Sequence, residues 1–191
     1  MHLPMSSLSL QWSRRHLLRR SAQLAVSAAA LPLAAQAAVA RPADARSLAL
    51  ANTHTGEQLS LVYASGERYL PTALDTLNHF LRDHYSGDVG VIDPQLMDLL
   101  HRVRQTLGTQ QPFQVISAYR SPATNARLRR SRGGGVATHS LHMDGKAIDI
   151  RLPGVALTDV RDAALSLRAG GVGYYPHEQF VHIDTGRVRS W

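Results

Sequence analysis

Ser140-Leu141-His142-Met143-Asp144-Gly145-Lys146-Ala147-Ile148-Asp149 is the stretch on which the reading of this chain turns. A histidine stands seven positions before an aspartate, with a glycine between them. From Lys146 on to Leu152 polar and apolar residues alternate, which predicts a strand. Gly145 lets the chain turn ahead of that strand without side-chain obstruction. A loop His142 and a strand Asp149 can then converge on one cation. Phe180-Val181-His182-Ile183-Asp184 is a second strand-like run and carries another imidazole. Two imidazoles and one carboxylate, with a fourth position left to water, form the ligand set of a catalytic zinc site. Taken alone, the same residues would also suit a surface pair and a solvated strand face.

Working outward, Leu48-Ala49-Leu50-Ala51-Asn52 and Gln58-Leu59-Ser60-Leu61-Val62-Tyr63 read as two strands joined by a turn at Thr55-Gly56-Glu57. Thr72 and Asp75 form a capping-box pattern, so a helix is predicted from Thr72, with Leu74, Leu77, Phe80 and Leu81 on one face. Asp93-Pro94 opens a second helix, striped by Leu96, Met97, Leu99, Leu100, Val103 and Leu107 and stopped by Gly108. Phe113 to Tyr119 is a strand leading into Arg120-Ser121-Pro122, and a short helix follows over 125–130. Gly133-Gly134-Gly135 is a flexible loop. Thr158 caps a further helix ended by Gly170-Gly171, and Val172 to Tyr175 and Phe180 to Asp184 make the last strands. The expected class is α+β, a small antiparallel sheet with helices packed on it.

With 191 residues, one domain is the default. There is no cysteine, which excludes disulfides, Cys-type zinc fingers and thiol nucleophiles. The formal net charge is +7, but Arg14, Arg15, Arg19 and Arg20 precede residue 41 and no acidic residue does. The remainder holds 17 basic and 14 acidic residues, a balance that does not demand nucleic acid and would suit an acidic polymer such as a bacterial wall. Ser13-Arg14-Arg15-His16-Leu17-Leu18-Arg19 resembles the twin-arginine export motif. An Ala-rich run and small-residue cleavage sites at Ala35-Gln36-Ala37 and Ala38-Val39-Ala40 follow it. Residues 1–40 are thus expected to be a signal peptide read by the twin-arginine machinery, 41–46 a tether and 47–191 the working domain. An uncleaved amphipathic anchor is the alternative for the leader. No later run is long and apolar enough to span a membrane.

Ser140-x-His142-x-x-Gly145-x-Ala147-x-Asp149 matches, at every fixed position, the zinc motif of the D-alanyl-D-alanine peptidase superfamily, whose fold hedgehog-type domains share. Ser117-Ala118-Tyr119-Arg120-Ser121-Pro122 resembles that family's Ser-Gly-Tyr-Arg-Ser segment, with Ala118 in place of glycine. The resemblance runs from about Leu48 to Trp191. It is closest to the murein endopeptidase branch, through the Thr55-Gly56-Glu57 turn, Gly171-Val172-Gly173-Tyr174-Tyr175-Pro176, and the segment from Phe180 to Gly186.

The resemblance implies zinc (Zn2+) on His142, Asp149 and His182. It implies Arg120 as a cation beside the substrate, with Ser140 and Tyr119 as substrate contacts. Relatives often carry a glutamate three positions before the third ligand; here that position is Gln179, and Glu178 lies one earlier. Asp184 shares a strand face with His182, so Asp184 is the preferred general base and Glu178 the runner-up. His139, next to the motif, reads as a solvated loop imidazole, with a ligand role as the alternative, and His177, in a later loop, could assist near the site. The Arg127, Arg129, Arg130 and Arg132 cluster reads as a solvated face, with contact to wall carboxylates or phosphates as the alternative. The expected function is a periplasmic, monomeric zinc endopeptidase acting on peptidoglycan cross-links. The alternatives are a D,D-carboxypeptidase of the same fold and a non-catalytic metal-bound wall-binding module.

Overall fold

A computed structural model describes residues 44–131 and 136–191. The leader and the Gly133–Gly135 loop lie outside them. Twelve elements follow one another: β1 (Ala45–Asn52), β2 (Gln58–Ser65), β3 (Arg68–Tyr69), α1 (Pro71–Phe80), α2 (Pro94–Thr106), β4 (Phe113–Ser117), α3 (Pro122–Ser131), β5 (Ala147–Arg151), α4 (Leu157–Ser166), β6 (Gly171–Tyr175), β7 (Phe180–Asp184) and β8 (Arg189–Ser190). The α+β class is as expected. The sheet is larger than expected and mixed, with eight strands in the order β3-β2-β1-β4-β5-β7-β6-β8. Its centre, β4-β5-β7-β6, is antiparallel, while β1 and β8 join parallel to β4 and β6. Ala45 and Arg46, expected in a tether, already pair with Ser65 and Ala64 in β1.

Period-two alternation assigns the two faces of the central strands. Ile148 and Ile150 of β5 and Val181 and Ile183 of β7 enter the apolar core with Leu96, Leu100 and Val160 from the helices. Asp149, His182 and Asp184 therefore share the other face. In α2, Asp93 accepts the Gln95 N–H at 2.9 Å as the cap residue, and Pro94 fills the first turn. Two predicted starts differ. α1 begins at Pro71 after Leu70, and α4 begins at Leu157 after Ala156, neither with a side-chain cap. Pro71 has the fixed φ of a first helical residue and draws the start ahead of Thr72. α4 stops at Ser166, because Arg168 takes φ 47° and ends the helix in the left-handed region, leaving Gly171 to open β6.

Candidate active site

Strand register builds the site. Asp149 of β5 lies directly opposite His182 of β7, and Ser117 of β4 faces Asp149 from the other side. His142 comes from the turn before β5, where Gly145 has φ +66°. A Cβ at Gly145 would collide with the Val91 carbonyl oxygen, so only glycine fits there. The turn is pinned by the Asp93 N–H donating to the Gly145 carbonyl at 3.0 Å and the Arg120 N–H to the His142 carbonyl at 3.2 Å.

Three side-chain atoms converge. His142 Nε2 is 3.3 Å from Asp149 Oδ1 and 3.2 Å from His182 Nδ1, and His182 Nδ1 is 2.9 Å from Asp149 Oδ1. The tautomers follow from the outer partners. His142 Nδ1 is 2.7 Å from the Ala118 carbonyl, which only accepts, so Nδ1 carries the proton. His182 Nε2 is 3.0 Å from the Asp184 carboxylate and carries the proton there. In these tautomers, with a cation in place of a proton between them, the two imidazoles and a carboxylate oxygen would turn their lone pairs towards one point. Such a set could hold a metal ion. Tetrahedral coordination with bonds of about 2.0–2.1 Å puts neighbouring donors about 3.3–3.4 Å apart; the 3.3 and 3.2 Å separations lie close to that, and the 2.9 Å one is a hydrogen-bond distance that a bound metal would widen. Each imidazole also donates its other N–H to a carbonyl or carboxylate, as metal-binding histidines do.

Electrostatics point the same way. The three residues are only 3%, 6% and 9% exposed. Burial would raise the Asp149 pKa, but His142 and His182 outweigh it and hold the carboxyl well below its ordinary range. Burial would lower the His182 pKa, but hydrogen bonds to Asp149 and Asp184 outweigh it and push it up to about 9. Without a metal, a proton on His182 would supply the positive charge.

The other expected residues fall in different places. Arg120 lies with its guanidinium 4.0 Å from Asp149 Oδ2 and 3.5 Å from Asn125 Oδ1. Ser140 lines the cleft over the donors. Tyr119 does not line it: its ring packs where a Cβ at Gly90 would stand, against the core. Asp184 is fully buried and outside the cleft. Its oxygens receive the His182 ring, the Gly171 and Gly186 N–H groups and the Arg189 guanidinium. Glu178 is exposed and lines a neighbouring lobe of the cleft. His139 is 70% exposed and bonds Asp144 at 3.1 Å. Arg127 lies over the Tyr85 ring at 4.4 Å.

The cleft has two lobes of about 250 and 260 Å³. Arg120, Val136, Asp149 and Phe180 belong to both and form the seam. The first lobe has a wall absent from the sequence reading. Tyr175 stacks on Phe180 at 4.6 Å, Trp191 Nε1 donates to the Tyr175 hydroxyl at 2.7 Å, and the Trp191 ring lies 5.3 Å from that of His182. Gly173, two residues before Tyr175, is the sequence signal for it, since a Cβ there would meet the Trp191 ring at 2.7 Å.

A buried His-Asp-His donor set that could hold a metal, a neighbouring arginine and an open cleft are the parts of a peptidase site. The profile of the family described as peptidoglycan L,D-endopeptidase MepK matches residues 40–191, and the chain belongs to that family. It is 48% identical over 168 residues to the peptidoglycan L,D-endopeptidase MepK of Escherichia coli K12, covering 88% of this chain and 91% of that one. It is 41% identical over 169 residues to the probable peptidoglycan L,D-endopeptidase MepK of Haemophilus influenzae, covering 88% and 90%. Among solved structures, the Serratia marcescens L-Ala D-Glu endopeptidase ChiX matches with TM-score 0.34 and 19% identity over 51% of this chain and 69% of that one.

Proposed function

We propose that this protein is a zinc-dependent endopeptidase that hydrolyses L-to-D amide bonds in the peptide cross-links of peptidoglycan. The donor triangle supports zinc: three atoms at 2.9–3.3 Å, two of them nitrogen lone pairs, suit a borderline-soft cation that accepts tetrahedral geometry. The names of the relatives support the bond type. The two-lobed cleft carries the choice of endopeptidase, because a peptide lying across the Asp149 seam finds room on both sides.

In this reading His142, Asp149 and His182 hold the metal. When bound, zinc supplies Lewis-acid polarisation of the amide carbonyl and a nucleophile at neutral pH. Arg120 stays charged at any working pH and stabilises negative charge developing on the carbonyl oxygen. Glu178 faces the cleft and moves the proton from the attacking water to the leaving amine. Asp184, with both oxygens engaged behind His182, fixes that ring's tautomer and direction instead. Ser140 contacts the substrate backbone, and Tyr119, packed against the core, does not. The protein works in the periplasm as a monomer, delivered by the twin-arginine route through residues 1–40.

The test is digestion of purified cross-linked muropeptide dimers. Conversion to monomers with a new L-residue carboxyl terminus is expected. Release of a single terminal D-amino acid would favour a carboxypeptidase, and binding without cleavage would favour a wall-binding module.

A further inference from the structure

The carboxylate behind His182 is itself held by a cation that no part of the proposed chemistry uses. Asp184 is fully buried, so its charge needs both hydrogen bonds and compensation. Arg189 supplies the fork, with Nη1 at 3.1 Å from Oδ1 and Nη2 at 2.7 Å from Oδ2. The Gly171 and Gly186 N–H groups add 3.1 and 2.8 Å bonds to Oδ1, and His182 takes Oδ2 at 3.0 Å.

The packing leaves no slack around this carboxylate. A Cβ at Gly171 would run into the Arg189 guanidinium and Asp184 Oδ2, and one at Gly186 would meet Asp184 Oδ1 at 2.9 Å. Arg189 is fixed from its own side as well. It belongs to β8, which pairs with β6 at Gly171. Its guanidinium lies 4.8 Å from the Trp191 ring and donates to the Arg187 carbonyl at 3.0 Å. Trp191 closes the strand through the Tyr174 N–H donating to its carbonyl at 3.0 Å.

We infer that Arg189 is a positioning residue for the metal centre, holding His182 in its ligating tautomer and direction through Asp184. The route is continuous: β8 fixes Arg189, the fork fixes both oxygens of Asp184, and Oδ2 fixes the His182 ring with Nδ1 towards Asp149. A lysine cannot reproduce the fork, because an ammonium is a point charge without two parallel N–H bonds. The metal-centre part of the inference rests on the zinc reading given above.

The experiment measures zinc affinity by chelator competition, with thermal unfolding of each metal-free protein alongside. The proteins are wild type, Arg189→Lys, Arg189→Met, Asp184→Asn and the Asp184→Asn/Arg189→Met double variant. Arg189→Met is expected to weaken zinc by about 10–100-fold, the usual scale for a partner behind a ligand, and Arg189→Lys by less. In the Asp184→Asn background, Arg189→Met is expected to change zinc affinity by less than about threefold, because the route already lacks its charge. Wild-type affinity in Arg189→Met overturns the inference, and so does a full loss repeated on top of Asp184→Asn. If Arg189→Met does not fold, the Arg189→Lys pair in the two backgrounds decides by the same comparison. Murein cleavage is not read here, so a zinc-binding protein that cuts no murein contradicts the proposed function alone. A wild type that binds no zinc contradicts both.

Discussion

At the scale of the residue, the two aspartates that touch His182 have different work. Asp149 meets Nδ1 from across the ladder and shares a point with His142, whereas Asp184 meets Nε2 from the same strand, on the far side of the ring. A general base must reach the cleft, and Glu178 is the carboxylate from the sequence pair that lines it. The two roles separate by measurement. Glu178→Gln should keep zinc bound while murein cleavage falls about 10²–10⁴-fold. Asp184→Asn should weaken zinc about 10–100-fold. Zinc affinity by chelator competition and muropeptide release by the zinc-saturated variants check this. A large activity loss in zinc-saturated Asp184→Asn with normal Glu178→Gln would exchange the assignments.

At the scale of the element, loops hold what the strands cannot. Arg120 follows β4 in a loop tied down by Asp83, whose carboxylate accepts the Ser121 and Tyr85 N–H groups, each at 2.9 Å. Burial would raise the Asp83 pKa, but hydrogen bonds from Thr124, Ser121 and Tyr85 outweigh it and lower it to about 2. A carboxyl depressed on folding stabilises above its unfolded pKa of about 3.9. That contribution is lost as pH falls from about 4 towards 2. Asp83→Asn should therefore lose stability at pH 7, by about 1–3 kcal/mol, and show a shallower further loss between pH 4 and 3. Urea midpoints at the three pH values test this; an unchanged acid slope would remove Asp83 from the account. Asp83 was not legible in the sequence, because beyond the local Tyr85 N–H its partners Ser121 and Thr124 come from the far side of α2 and β4 in the chain and follow no local period. The strands were, since alternation in 147–151 and 180–184 decides which side chains share a face. Their register put Asp149 opposite His182, and that needed the tertiary pairing. The His142–Asp149 motif was legible through Gly145, whose backbone admits no side chain. The aromatic wall was not, because Trp191 joins it through the two-residue strand β8, too short to carry a period.

At the scale of the whole molecule, one mixed sheet buries its apolar face under α1, α2 and α4 and leaves its opposite face for chemistry. Among the described residues no helix is long and apolar enough to cross a membrane. The proposed export route then rests on Arg14 and Arg15. Replacing both with lysine should hold the precursor in the cytoplasm, because the twin-arginine pathway reads the pair rather than its charge. Fractionation of cells making each form checks this, and unchanged periplasmic accumulation would point to general secretion.

His142, Asp149 and His182 are proposed to hold the zinc on which murein cleavage would depend. The direct measurement is zinc content and muropeptide release for the protein as purified, after chelation, after zinc return, and for Asp149→Ala. The account predicts one zinc per chain, cleavage lost on chelation and restored by zinc, and neither zinc nor cleavage in Asp149→Ala. Cleavage that survives complete chelation, or Asp149→Ala that still binds one zinc and cuts murein, would contradict it.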